Sequence, residues 1–453
     1  MNVSVPSTVS IDSGLTRESA PRPVAQAERI QTIDIVRGFA LLGILMMNIP
    51  YFGLSFTAIH RFYTVPSDTL DFRTLTVVSV LFEGTMRALF SMLFSAGMLL
   101  FMAKKDTPVD GYGMPDYYYR RLFWLILFGV FNAYILLWPG DILYTYGVCG
   151  LFLFPFRKIR PQTYLLIALF CVTVSGVKSF FGAMENKEKR DGYTQALQLE
   201  KQKKPLTDEQ KKAKEAWLTW EKNFKYDKKK EEEANKTMRG NYRTIFASYI
   251  PLNTKFESTR FYLDFVWDAW ALMFLGMALF KWGFFSNQLS TRTYFLTLLA
   301  GYGFGLTFGW FGFQYLVAWF TDPGKVLDAD SFPFQLFYHI RRAASAIGHA
   351  SLLLLIYRSG VVNWLMKALA NVGQLAFTNY LMQSIICTLF FYGYGLGYFG
   401  KLSYYELYYV VGAVWLFQLI FSAIWLHYFR FGPFEWLWRS LTYWKRQPML
   451  VQQ

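Results

Sequence analysis

Long stretches almost free of charge recur along this chain, and no other feature narrows its fold as sharply. Crossing about 30 Å of hydrocarbon as a helix takes roughly 20 apolar residues. Ten stretches suited to that task stand at about 33–55, 74–103, 118–139, 141–157, 162–182, 264–285, 292–320, 333–357, 372–392 and 405–429. Strands of a membrane barrel would run to about ten residues and alternate polar with apolar; these runs are longer and continuous. With 54% hydrophobic and 20% aromatic residues overall, the chain reads as an all-α polytopic membrane protein with about ten transmembrane helices.

Lysine and arginine crowd the short connections on one side, as in Arg120, Arg121, Arg157, Lys158, Arg160 and Lys281, whereas the other side's short connections hold only Arg61, Arg73, Lys325 and Lys401. Cytoplasmic loops carry that excess, so both termini are expected in the cytoplasm of a bacterial inner membrane. The same basic ring accounts for most of the formal +15 charge by attraction to anionic headgroups, and no nucleic-acid partner is expected. The organisation that follows is a polar, Ser/Pro-rich cytoplasmic tail at 1–32, helices 1–5 at 33–182, a charged extracytoplasmic insert at 183–263, helices 6–10 at 264–430, and an interfacial helix with tail at 431–453. The tail lacks the apolar core of a cleaved signal peptide. Cys149, Cys171 and Cys387 all sit in apolar segments and read as packing residues. No His/Cys pattern has metal-ligand spacing, so no metal and no bound cofactor is expected.

The insert is the one long polar stretch. Thr207 with Gln210 three residues later resembles a capping box that opens a helix carrying Trp217, Leu218 and Trp220. Near the C-terminus, Gly432-Pro433 ends the last span, and Glu435 and Arg439 stand at i, i+4 beside Trp436, Trp438 and Trp444, which suit the headgroup level.

Polar residues inside the spans carry the functional information, because a charge in hydrocarbon costs at least about 2.5 kcal/mol and persists mainly where it is paired or used. Arg37 and Asn48 bracket ten apolar residues of span one. At 1.5 Å per residue Asn48 lies roughly 22 Å from the inner end, in the outer third. Glu83 and Arg87 stand at i, i+4 in span two, the spacing of an intrahelical ion pair. Asn132, Asp141, His339, Arg342, Asn379 and Gln383 are placed in the same outer layer, where amides taken singly could serve as interhelical glue. Together they describe a polar cavity, with Asn48, Arg87, Asn132, Arg342, Asn379 and Gln383 as substrate contacts. Arg37, beside Gly38 and three residues after Asp34, is either a local partner of Asp34 or a fork for a phosphate-bearing donor.

The segments DIVRGFALLGILMMNI (34–49), FEGTMRALFSMLFSAGM (82–98), PGDILYTYG (139–147), QLAFTNYLMQSII (374–386) and FRFGPFEWLWRSLTYW (429–444) resemble, in that order, the DUF418 (YeiB-like) family of bacterial inner-membrane proteins. The resemblance runs from about residue 29 to 446 and leaves out the insert. That family is grouped by fold with transmembrane acyltransferases. The resemblance therefore implies acyl transfer from a cytoplasmic donor such as acyl-CoA, bound at Arg37 and Gly38, to an extracytoplasmic small-molecule, lipid or glycan acceptor. In the acyltransferase relatives a histidine follows the arginine by eleven residues; here that position is Asn48, and an amide is no base near neutral pH. The base is then expected at His339, Glu83 or Asp141. Transport or binding of a solute without catalysis is the alternative use of such a cavity.

Overall fold

A computed structural model describes residues 30–103, 112–329 and 337–451; of the expected tail at 1–32, residues 1–29 lie outside them, and the first helix already begins at Gln31. Among the described residues there is no strand; Phe429 and Leu450 form an isolated antiparallel bridge. The helices in chain order are α1 (Gln31–Gly53), α2 (Phe56–Arg61), α3 (Leu70–Leu81), α4 (Thr85–Met102), α5 (Met114–Val130), α6 (Leu143–Leu151), α7 (Pro161–Lys201), α8 (Asp208–Phe224), α9 (Lys228–Met238), α10 (Tyr242–Lys255), α11 (Val266–Lys281), α12 (Thr291–Thr321), α13 (Pro323–Asp328), α14 (Tyr338–Ser359), α15 (Asn363–Gln374), α16 (Ala376–Phe391), α17 (Leu407–Tyr428) and α18 (Pro433–Tyr443).

Among the described residues six stretches are long and apolar enough to cross a membrane: 31–53, 70–102, 161–201, 242–281, 291–321 and 407–428. The expected spans at 118–139, 141–157, 333–357 and 372–392 correspond to α5, α6, α14 and α16, which are shorter or carry more charge. Burial sorts the six. In α1 and in α3–α4, 72% of the most apolar window is buried, against 17% in α7 and in α12. The outward faces of the peripheral helices carry Leu166, Phe170, Leu299, Leu416 and Ile424, all exposed. Contiguous apolar surface of that extent suits lipid contact rather than water.

The centre is built on α1. Its N-terminal half crosses α15 so closely that a Cβ on Gly38 would lie 2.0 Å from the Leu369 carbonyl oxygen, and one on Gly373 would lie 1.9 Å from that of Asp34. Glycine at both positions is therefore a packing requirement. The expected single span at 74–103 is two helices, because Gly84 adopts φ +72°, a conformation that suits glycine and interrupts the helix. Two π-helical turns, Phe131–Ile135 after α5 and Phe256–Phe265 between α10 and α11, interrupt otherwise regular helix. Such turns recur at functional sites.

The insert folds as a series of helices joined by short turns. Transmembrane-length α7 runs on into it without a break, and α10 returns through the second π turn into α11. Thr207 and Gln210 close the expected capping box: Gln210 N donates to Thr207 Oγ1 at 3.3 Å, and Thr207 N to Gln210 Oε1 at 3.0 Å. Trp217 is buried, with the Arg190 guanidinium 5.0 Å from its ring centre. Phe224 stacks on Phe320 at 5.2 Å, which ties α8 to the end of α12. Arg190 also grips Asp328 of α13 through two bonds, of 2.9 and 2.6 Å.

Candidate functional site

Two cavities enter the bundle from opposite ends. The larger, about 370 Å³, opens on the side of the insert; the smaller, about 210 Å³, lies at the N-terminal end of α1 beside α18. Tyr146 of α6 lines both, so its ring is part of the wall between them. The phenol is held there by Ser91 Oγ at 2.6 Å and by donation to the Arg87 carbonyl oxygen at 3.3 Å.

The larger cavity is lined by Asn48 and Tyr51 of α1, Glu83 and Arg87 at the α3–α4 break, Trp138 and Asp141 of the turn before α6, and Asn253, Glu257 and Asp268 along the α10–α11 path. The broken helix matters here. Glu83 and Arg87 do not neutralise each other as their spacing predicts. Glu83 instead bonds Arg341 of α14 and accepts from the Tyr338 hydroxyl at 2.9 Å, while Arg87 pairs with Asp268 of α11 at 3.2 Å. Interrupting the helix at Gly84 removes the shared face on which an i, i+4 pair depends.

Asp268 is the hub of the charged wall. Besides Arg87 it bonds the fully buried Arg342 and lies 2.9 Å from His339 Nδ1. That nitrogen is also 3.1 Å from Arg342 Nη2. One nitrogen cannot donate to the carboxylate and accept from the guanidinium together, and the anionic acceptor favours donation. His339 and Arg342 thus stand behind Asp268, and neither lines the cavity. Asn132 is likewise behind the surface: it donates from Nδ2 to Asp141 Oδ1 at 2.8 Å, and Tyr144 N donates to Oδ2 at 2.8 Å. These two bonds fix Asp141 as an acceptor facing the cavity. Asn48 lines the cavity with no hydrogen bond to any described residue, which leaves its amide free for a ligand.

Asn379 and Gln383 stand elsewhere. Asn379 bonds Ser422 at 2.9 Å, and Gln383 bonds Gln418 at 3.0 Å and the Leu41 carbonyl oxygen at 3.4 Å. Both are buried between α1, α16 and α17 and line neither cavity. They are interhelical glue. The expected span at 372–392 runs outward, so at 1.5 Å per residue these side chains stand roughly 10 and 16 Å from its inner end, short of the outer layer.

In the smaller cavity Arg37 bonds Asp34 at 2.8 Å and still lines the space with Arg121, Arg439 and Trp438. Arg37 is thus paired with Asp34, as one reading expects, and its side chain still faces the cavity. Gly38 does not line it, being consumed by the contact with α15. Glu435 accepts from Phe377 N at 2.7 Å, Thr378 N at 2.9 Å and Thr378 Oγ1 at 2.5 Å, so it caps the first turn of α16. Sequence reasoning missed Asp268, Glu257, Asn253, Arg121 and Tyr146. Asp268 is the single acid in an otherwise apolar run and was legible by the same cost argument; the others needed the fold. Among the described residues no group of His, Cys, Asp and Glu could hold a metal ion.

A family model described as a protein of unknown function (DUF418) matches residues 279–445. The chain is 30% identical over 443 residues to the uncharacterized protein YxaH of Bacillus subtilis (strain 168), covering 95% of this chain and 98% of that one. It is 29% identical over 426 residues to the uncharacterized protein YeiB of Escherichia coli (strain K12), covering 92% and 96%. No solved structure matches.

Proposed function

The chain belongs to the DUF418 family, YeiB-like proteins, and on that premise we propose that it is an acyltransferase of the bacterial inner membrane. Its helices make about ten crossings, with both termini cytoplasmic and the insert outside. An acyl donor such as acyl-CoA enters from the α18 side, and a small-molecule, lipid or glycan acceptor bearing a hydroxyl enters from the insert side.

The observation that carries this reading is the shared wall at Tyr146 between two cavities of different chemistry. A donor on one side and an acceptor on the other need travel only as far as that ring. Rotation of Tyr146 away from Ser91 joins the two spaces. The acceptor oxygen then attacks the thioester carbonyl: a C–O bond forms, the C–S bond breaks, and the hydroxyl proton passes to Asp141 and on to the departing thiolate. Asp141 is the base because Asn132 and Tyr144 N hold it facing the cavity. Glu83, bonded to Arg341 and Tyr338, takes an electrostatic role. His339 steadies Asp268, and Asn48 hydrogen-bonds the acceptor or the developing oxyanion.

The test is thiol release from acetyl-CoA by the full chain in nanodiscs, with glycerol and glucose offered as hydroxyl acceptors. The wild type releases thiol saturably and Asp141→Asn does so at least about 100-fold more slowly, the usual scale for loss of a positioned base. A folded wild type that releases none under any acceptor moves the assignment to passage or binding of a solute.

A further inference from the structure

The smaller cavity contains a half-buried cation without a countercharge among the described residues. Among the described residues Arg121 of α5 forms no ion pair and no side-chain hydrogen bond, and its Nε is buried and unbonded. Its neighbours are aromatic: the guanidinium carbon lies 4.0 Å from the Trp438 ring centre and 5.2 Å from that of Phe101. Trp438 is fixed in turn, its Nε1 donating to the Arg121 carbonyl oxygen at 2.8 Å. Stacking of this kind occupies the faces of a guanidinium and leaves the in-plane N–H edge available.

The charges around it do not close. Asp34 is bonded to Arg37, and Glu435 is sealed onto α16. Arg37 enters the same cavity, and Gly97 of α4 leaves room beside it, since a Cβ there would meet Arg37 Nη2 at 3.7 Å. The remaining wall is apolar, with Phe90, Leu93 and Phe94 leading toward Tyr146. A half-buried charge in an apolar wall, its Nε shut from solvent and no acid beside it, is costly and is retained where something else supplies its partner.

We propose that Arg121, with Arg37, forms a binding site for the phosphate of an amphipathic phosphoester, held edge-on by the two guanidinium forks with its apolar part directed along Phe90 and Phe94. This rests on the reading of the smaller cavity as the donor side, yet it is tested without any transfer. The phosphate is carried either by a soluble phosphoester or by a lipid headgroup, and the geometry of Arg121 serves both.

The experiment uses the full chain in two preparations. In nanodiscs of neutral phosphatidylcholine, inorganic pyrophosphate is titrated by calorimetry. In detergent, retention of added phosphatidic acid is measured by native mass spectrometry. The wild type binds at least one of the two saturably: pyrophosphate if the phosphate comes from solution, phosphatidic acid alone if it comes from the membrane. Arg121→Gln weakens that binding by roughly tenfold to a hundredfold, and Arg121→Lys, which keeps the charge and loses the fork, falls between. Because Arg121 has no charged partner to strand, Arg121→Gln loses only its ring contacts with Trp438 and Phe101 and stays cooperatively folded by circular dichroism at the temperature of the binding assay, which separates a lost site from a lost fold. Binding of both probes unchanged in Arg121→Gln overturns the proposal, as does a folded wild type that binds neither. If phosphate binds as stated while no acetyl-CoA is turned over, the site stands and the transferase reading fails.

Discussion

Replacing Asp268 by asparagine is the change that strikes the charged wall hardest. Its carboxylate serves Arg87, Arg342 and, through Nδ1, His339. The three partners differ in what they lose. The Arg87 side chain is 40% exposed, so water replaces its partner and the loss is about 0–1 kcal/mol. Arg342 is fully buried, and its Nε and Nη1 already lack partners. Removing the charge at Asp268 leaves that guanidinium with no carboxylate, and breaking a buried pair in this way costs about 3–5 kcal/mol. Asp268→Asn is therefore expected to lose about 3–6 kcal/mol of stability, almost all of it through Arg342. Reversible unfolding in mixed micelles measures it. The companion variants sort the cause: Arg87→Gln loses under about 1 kcal/mol, and Asp268→Asn with Arg342→Met recovers most of the deficit because the stranded charge is gone. An Asp268→Asn protein within about 1 kcal/mol of wild type would refute the reasoning, by showing that Arg342 is solvated from the cavity.

Other expectations follow from single contacts. Gly38→Ala and Gly373→Ala each drive a methyl into a carbonyl oxygen of the facing helix, and each should lower stability by about 1–3 kcal/mol or more in the same assay. Asn48→His should fold within about 1 kcal/mol of wild type, since the amide bonds nothing; a larger loss in unfolding experiments would mean the position is packed. The Arg190 hydrogen bond holds the Asp328 carboxyl below its ordinary value. Stability from that pair is present above the unfolded carboxyl pKa of about 3.9 and fades as pH falls through the lower folded value. Proteolysis near α13 should accordingly accelerate only below about pH 4 in the wild type, and should be fast and independent of pH through that range in Asp328→Asn.

Helix content and the apolar, lipid-facing rim were legible because both depend on local composition and on period. Thr207 with Gln210 was legible for the same reason, a cap being a contact across three residues. Pairing was not. Glu83 and Arg87 look like partners until Gly84 takes a positive φ, and nothing in the sequence around Gly84 distinguishes that from an ordinary helical glycine. Gly38 suggested room for a phosphate, yet the space is filled by α15, more than 300 residues later in the chain. Depth along a span was the weakest inference. It groups Asp141 and Asn48, which line one cavity, with Asn379 and Gln383, which line neither. Tyr146 could not be singled out at all, being one of 30 tyrosines whose position between two cavities is a property of the assembled bundle.

Movement of an acyl group from one cavity to the other is the central proposal, and sidedness measures it directly. Full chain is reconstituted into vesicles with [14C]acetyl-CoA supplied only on the α18 side and glycerol and glucose enclosed on the insert side. Acylated acceptor should accumulate within the wild-type vesicles, and not in Asp141→Asn, while the free acetyl-CoA stays where it was placed. Label that remains wholly as acetyl-CoA on its original side, with folded wild-type protein in the membrane and a solute such as glycerol crossing instead, would contradict it.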